Sequence, residues 1–419
     1  SRPGAPGVRA PPSFRSGPPC GKLPWRIVEP IHAVAQAAAA ARSGFQGGTD
    51  MTASRTVPGF VNAHTHVYSA LAPYGMPAPA VPPENFVQIL ERVWWRLDRA
   101  LDERSLRVSA RLYAAESLLY GTTALIDHQE SPSFIEGSLD VLADACQEMG
   151  IRAVLGYGAT DRNGGRDEGR RGLAECRRFL RANRRPLVRG TVALHASFTC
   201  SDETLREAGE LARELGAVTH VHVAEDRADV EDARQRGYDG PLERLLANEA
   251  LPAGSIMAHG VHLNVSQVRM AEAKGLWLVQ NPRSNEGNKV GYAASLWVSG
   301  KVALGTDGWE ADMPAEFAAL ERLAAGSMHE EVDAAARRLV TGRVLAAERF
   351  ADAPEGAGPD GDTVVLGQAA DGHPAPVQRV VVAGQAVVDG GRLAHADIEE
   401  IRAKAREEAP KLWQRLAAL

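Results

Sequence analysis

The sequence predicts an α/β protein built on a (β/α)8 barrel, and two observations carry that expectation. From residue 58 onward short β-branched runs alternate with amphipathic stretches, which is the pattern of a repeating βα unit. Histidines and acids gather where those runs end, and the C-terminal ends of barrel strands are where such a fold keeps its chemistry. Length agrees, since 419 residues accommodate one large barrel with an appendage.

The elements follow in order. Residues 1–57 read as irregular chain, because eight prolines fall within the first thirty positions among Gly, Ser and Arg, and such a composition disfavours helix interiors and central strands. Ile31 to Arg42 is alanine-rich and reads as one short helix. Eight strands are expected: Phe60 to Ala63, Thr122 to Ile126, Arg152 to Gly156, Gly190 to Leu194, Ala217 to Val223, Ser255 to Ala258, Trp277 to Gln280 and Lys301 to Leu304. Helices are expected between them over Glu103 to Tyr120, Phe134 to Met149, Asp167 to Ala182, Asp202 to Leu215 and Val265 to Lys274. Asp102 and Ser201 stand where N-caps belong, and Gly121, Gly150, Gly216 and Gly275 stand just past the helix ends. Beyond the barrel, Asp362 to Leu366 and Val377 to Asp389 read as strands, with Gly384-Gln385 at a turn. The expected division is 1–57, an irregular N-terminal segment; 58–345, the barrel; 346–395, a small β unit; and 396–419, a C-terminal helix.

Composition narrows the partners. Apolar residues make up 44% and charged residues 24%, so core material is not limiting. The net charge of −6 and a pI near 6.1 remove the electrostatic case for nucleic acid or an anionic membrane surface. The expected partner is a small molecule. Cys20, Cys146, Cys176 and Cys200 form neither a CxxC pair nor a dense scaffold, which points to a reducing, cytoplasmic setting. No apolar run has the length of a membrane span, and no secretory leader is expected.

The strand ends carry the chemistry. His64 and His66 end the first strand, Asp127 and His128 the second, His195 the fourth, and His220, His222 and Glu225 lie at the fifth. His259 ends the sixth, with His262 three residues on, and Asp307 follows the eighth. In extended chain, residues i and i+2 face the same side, so His64 and His66 present two imidazoles to one point. Three neutral imidazoles and a carboxylate suit a divalent transition metal with an open position for water. His64, His66, His222 and Asp307 are the expected ligands of one ion, Zn2+ ahead of Fe2+, which lowers the pKa of a bound water to about 7. Glu225 is the expected proton shuttle, His259 the group that polarises the attacking oxygen, and Asp307 a further proton acceptor.

His64-Thr65-His66, His222-Val223-Ala224-Glu225, Ala258-His259-Gly260-Val261-His262, Asn281-Pro282-Arg283-Ser284-Asn285 and Leu304-Gly305-Thr306-Asp307-Gly308 resemble, in order and spacing, the motifs of the amidohydrolase superfamily in its cytosine deaminase-like, TRZ/ATZ branch. Val93 to Asp102, Ile126-Asp127-His128 and Thr160 to Gly164 are similar to the SsnA-type aminohydrolases, a group associated with purine catabolism. The resemblance covers residues 57 to 345. It implies a barrel, a single zinc or iron ion, a small β-sandwich built from both chain ends, a homodimer, and hydrolytic deamination of an amino-substituted purine-like or pyrimidine-like ring with release of ammonia. It also leaves two alternatives: the same site displacing chloride or opening a cyclic amide, since one fold hosts several chemistries, and a metal-binding barrel without turnover.

For the substrate, His195, His128, Asp161, Arg162, Asn285 and Trp309 are the candidates, because each follows a strand end. Arg162 and Asn285 offer donors suited to exocyclic oxygens and ring nitrogens. His220 reads as a neighbour in the pocket or core, and His262 as a loop residue. Trp94 and Trp95 read as core cover on an amphipathic helix. His32, His329, His373 and His395 read as surface histidines, and the Glu and Arg runs over 166–185 as solvated helix faces.

Overall fold

A computed structural model describes residues 54–327, 333–367 and 375–419. The expected helix over 31–42, Cys20, His32, His329 and His373 lie outside the described residues. The chain enters through β1 (Arg55–Pro58) and passes directly into β2 (Phe60–Thr65). The remaining barrel strands are β3 (Thr122–Gln129), β4 (Arg152–Ala159), a short β5 (Val188–Gly190), β6 (Val192–Ala196), β7 (Thr219–Val223), β8 (Ile256–His259), β9 (Trp277–Gln280) and β10 (Val302–Leu304). Neighbours run parallel in the order β10-β9-β8-β7-β6-β4-β3-β2, with β5 beside β4. A parallel bridge between Thr65 and Asp307 joins the two ends of that order. The barrel therefore closes at its site: Thr306 N and Asp307 N both donate to His64 O at 3.0 Å, and His66 N donates to Asp307 O at 3.2 Å.

The strands run further toward the site than hydrophobicity alone suggests. β2, β3 and β4 continue through Thr65, Gln129 and Ala159, so His64, Asp127 and His128 sit within strands. Register explains this, because Asp127 and His128 keep ladder partners in Leu155 and Gly156; pairing persists where side chains turn polar. The single strand expected over Gly190 to Leu194 is split at Thr191, whose hydroxyl donates to Val218 O at 2.8 Å.

Helix caps follow the expected chemistry. Asp102 accepts from Ser105 N at 2.8 Å in a capping box ahead of Glu103–Leu119, and Ser201 accepts from Thr204 N ahead of Asp202–Glu214. Gly121, Gly150, Gly216 and Gly275 all take positive φ just past helix ends.

Outside the barrel, β1, β11 (Thr363–Leu366), β12 (Val377–Val382), β13 (Gln385–Asp389) and β14 (Arg392–Leu393) form one antiparallel sheet in that order. The strand β1 lies in a stretch that composition marks as irregular: Arg55 to Pro58 pair with Leu366 to Thr363, and a four-residue strand is too short to register as a pattern. The β12–β13 turn is Ala383-Gly384, both at positive φ, so it falls one residue before the expected Gly384-Gln385. Arg152 on β4 clasps Asp362 beside β11 through two hydrogen bonds of 2.7 and 2.9 Å, with both side chains no more than 1% exposed. The helix Ile398–Ala417 packs along Glu103–Leu119. No described helix is long and apolar enough to cross a membrane.

Candidate metal centre and active site

His64 and His66 from β2, His222 from β7 and Asp307 beyond β10 converge at the C-terminal mouth of the barrel. His66 Nε2 lies 3.1 Å from His222 Nε2 and 3.0 Å from Asp307 Oδ1, and His64 Nε2 lies 3.2 Å from the same carboxylate oxygen. The outer ring nitrogens are tethered: His66 Nδ1 donates to His128 O at 2.7 Å, and His222 Nδ1 donates to His195 O at 2.5 Å. A donor at Nδ1 leaves the Nε2 lone pair aimed inward, the tautomer a metal ligand needs. His64 Nδ1 meets His220 Nε2 at 2.9 Å, so His220 backs a candidate ligand from within the barrel.

Charge supports the same fit. Burial lowers His64 to about 3 and pushes His222 and His220 well below the usual range. Those imidazoles are neutral and free to ligate. At His66 burial also opposes the charged form, yet the hydrogen bond and charge of Asp307 outweigh it and raise the group to about 9. The gap between Asp307 and His66 Nε2 thus favours a positive charge, which a divalent ion supplies. Burial disfavours the Asp307 anion, but His64 and His66 hold it well below the carboxylate range, and Ser284 Oγ donates to Oδ2, leaving Oδ1 to the histidines.

Beside this cluster stands His259, whose Nδ1 lies 2.9 Å from Asn285 Oδ1 while Nε2 has no hydrogen-bond partner. Assigning the Nδ1 proton to that bond turns the Nε2 lone pair toward the site. Donor atoms of His64, His222, His259 and Asp307 all lie within 4.8 Å of one another. Glu225 Oε2 is 3.5 Å from His259 Nε2, and Oε1 accepts from Asn288 Nδ2 at 3.4 Å. Burial, then the Asp307 charge, raise the Glu225 carboxyl well above its ordinary value. Three site positions are held in left-handed backbone without being glycine: Ala224 at φ 51°, His259 at φ 75° and Asp307 at φ 56°. Such strain persists where the surroundings over-determine it. At Ala224 the determinant is visible, since Asp229 accepts from Ala224 N at 2.7 Å and from Phe198 N at 3.2 Å.

A cavity opens over the cluster, lined by His66, His222, Glu225 and Asp307 and walled by Tyr68, Phe86, Leu90, Trp94, Trp95, Glu130 and His195. Trp94 and Trp95 therefore border the cavity, and Trp94 also packs against the core as expected. The wide turn over Leu90–Trp94, with its i+5 bonding, lies in the helical stretch between Phe86–Ile89 and Trp95–Ala100 that brings them there. Among the six substrate candidates only His195 lines this cavity. His128 is fully buried, with Nε2 donating to Leu194 O at 2.9 Å. Asp161 instead holds a helix start, accepting from Ser201 N at 2.6 Å and Thr204 Oγ1 at 2.8 Å. Arg162 is buried between Asp98 and Glu130 and stacks 5.2 Å over the Trp95 ring. Asn285 steers His259, and Trp309 lines a separate shallow cleft with Arg283 and Arg322. In each case a strand-end position was a sound guide to the rim but not to which way the side chain turns.

Sequence reasoning passed over Glu130, Ser284 and Asn288. Glu130 was detectable in principle as an acid two residues past His128; what hid its role is that its partner Arg162 comes from the next strand end and Asp98 from a distant helix.

The Amidohydrolase family model matches residues 56–349. A 5'-deoxyadenosine deaminase of Methanopyrus kandleri is 29% identical over 388 residues, covering 85% of this chain and 86% of that protein. A 5'-deoxyadenosine deaminase of Methanosphaera stadtmanae is 31% identical over 266 residues, 62% of this chain and 59% of the relative. Among solved structures, a zinc-bound adenosine deaminase from Xanthomonas campestris shares the fold at a TM-score of 0.71, with 22% identity and 86% of each chain covered.

Proposed function

The chain belongs to the amidohydrolase family, and from that premise we propose that it hydrolytically deaminates an amino-substituted, purine-like ring with one divalent ion, zinc ahead of iron. The observation that carries the reading is the placing of Glu225, a carboxyl that burial and the Asp307 charge push well above its ordinary value, 3.5 Å from the unpartnered His259 Nε2 and beside the tethered imidazoles. His64, His66, His222 and Asp307 would hold the ion, which when bound supplies Lewis acidity and brings the pKa of a water to about 7. Glu225 donates its proton to a ring nitrogen, which makes the adjoining carbon electrophilic. The attacking water, oriented by His259 Nε2, loses one proton to the Glu225 carboxylate, which passes it to the departing amine, and its second proton to Asp307 as the carbonyl forms, from which Glu225 is reprotonated. Asn285 fixes the His259 ring, and Asn288 fixes Glu225. Trp94, Trp95, Phe86 and Leu90 give a planar ring an apolar wall and keep bulk water out. The buried free thiols Cys146, Cys176 and Cys200 support a cytoplasmic setting.

The Glu225→Gln variant tests this reading. It keeps shape and hydrogen bonding but cannot exchange a proton, so turnover should fall by about 10²- to 10⁴-fold with metal content unchanged. Turnover within a few-fold of the parent would overturn the assignment.

A further inference from the structure

We propose that Asp229 is a positioning residue: its carboxylate pins the loops after β6 and β7 to one another and so holds Glu225 within reach of His259 and the substrate. In naming Glu225 as the group positioned, the proposal rests on the deaminase reading.

Asp229 lies in the first turn of the helix Arg227–Gln235 and is 3% exposed. An acid placed there commonly serves the N–H groups of its own helix. Asp229 instead gives one oxygen to each of two other segments: Oδ2 accepts from Ala224 N at 2.7 Å, and Oδ1 accepts from Phe198 N at 3.2 Å. Ala224 directly precedes Glu225 and stands at φ 51°, a left-handed backbone that alanine adopts only at a cost. Its carbonyl accepts from His262 N at 2.9 Å, so both sides of the residue are held. On the other side of Glu225, Asp226 caps the same helix by accepting from Ala228 N at 2.9 Å. Glu225 therefore sits between two residues that one helix fixes.

The second arm of the carboxylate reaches the 3-10 turn Ser197–Thr199, which brings Phe198 to the cavity wall. The bond from His222 Nδ1 to His195 O already ties β7 to β6. Asp229 repeats that tie beyond the strand ends, where no ladder continues. Burial lifts its carboxyl to about 7, while the Ala224 and Phe198 N–H groups favour the anion. The charge of a divalent ion in the neighbouring site acts in the same sense as those donors, and assays on the alkaline side of that value compare proteins with the carboxylate ionised. Without it, Ala224 is free to relax toward right-handed backbone and swing Glu225 away from His259 Nε2, now 3.5 Å distant.

The test uses metal-loaded full-length protein and two variants. Asp229→Asn keeps the shape but turns an amide N–H group toward one of the backbone donors, and Asp229→Glu keeps both acceptors on a longer stem. Hydrogen exchange gives a reading that needs no turnover. In Asp229→Asn the peptides holding Phe198 and Ala224 should exchange about 10-fold or more faster, the range for losing a hydrogen bond to a charged group, with metal content unchanged; Asp229→Glu should fall between that variant and the parent. In ammonia release from adenosine, 5'-deoxyadenosine and adenine, Asp229→Asn should lower kcat by about 10- to 100-fold with KM within about 3-fold. On a Glu225→Gln background the same substitution should cost less than about 3-fold, because the group it positions no longer moves a proton. Unchanged exchange at either peptide overturns the pin, and equal turnover losses on the two backgrounds overturn the positioning of Glu225. Should Asp229→Asn fail to fold, Asp229→Glu decides alone: faster exchange at Ala224 with kcat unchanged overturns the proposal, and the two changing together supports it. Lost protection in the variants of a parent that releases no ammonia from any ring would sink the deaminase reading and leave the pin standing.

Discussion

Substituting Gly305 by alanine should damage the metal centre without replacing a candidate ligand. Gly305 lies where β10 meets β2, and a Cβ there would stand 2.6 Å from His64 O, 2.7 Å from Asn281 Oδ1 and 2.8 Å from His64 N. To reach ordinary contact at 3.4 Å the backbones must part by about 0.8 Å, and the obstruction is main chain on the strand bearing His64. Overpacking of this kind costs about 1–3 kcal/mol, and an immovable backbone neighbour puts Gly305→Ala near 3 kcal/mol. The same displacement breaks the bonds from Thr306 N and Asp307 N to His64 O that close the barrel. A misplacement near 1 Å can cost about 10²-fold in function, so metal affinity and turnover should fall together. Gly308 is the stability control, because its added Cβ would meet only the Trp94 ring at 3.6 Å. The assay is the urea midpoint of both variants with metal content after dialysis. A Gly305→Ala protein within about 0.5 kcal/mol of the parent and with full metal content would refute the view that barrel closure and site geometry are one structure.

Three further outcomes follow from the same geometry. Asp362→Ala should destabilise the protein by about 3–5 kcal/mol in denaturant titration, because it leaves the guanidinium of Arg152 buried and uncompensated; a cost below 1 kcal/mol would mean that the clasp between barrel and sheet carries little. His220→Ala should weaken metal binding by about 10- to 100-fold in competition with a chelator, since His64 Nδ1 loses its partner, and unchanged affinity would deny His220 that role. Asn285→Ala should lower kcat with metal content intact, because it frees the ring of His259; a loss confined to KM would place Asn285 against substrate instead.

How much of this was legible follows from which physical signals are local. His64 and His66 are readable because extended chain puts i and i+2 on one side, and their rings do stand 5.1 Å apart. Helix ends are readable because capping depends on one or two residues, as at Asp102 and Gly150. Side-chain direction at the rim is not local. Arg162 looks like a substrate donor in sequence, but two carboxyl groups from other elements capture it. Trp94 and Trp95 read as core cover, and Trp94 does pack against the core, but the i+5 turn over Leu90–Trp94 that also brings them to the cavity has no sequence period of its own. Four-residue strands such as β1 likewise exist only through their partner, here β11.

The most direct test of the account is metal content measured on purified protein, together with ammonia release across purines, pyrimidines and pterins with and without chelator. The account predicts about one divalent ion per chain, held by His64, His66, His222 and Asp307, and ammonia from one ring class that chelator abolishes and added metal restores. A metal-replete preparation with an empty site, or ammonia release indifferent to chelator, would contradict it.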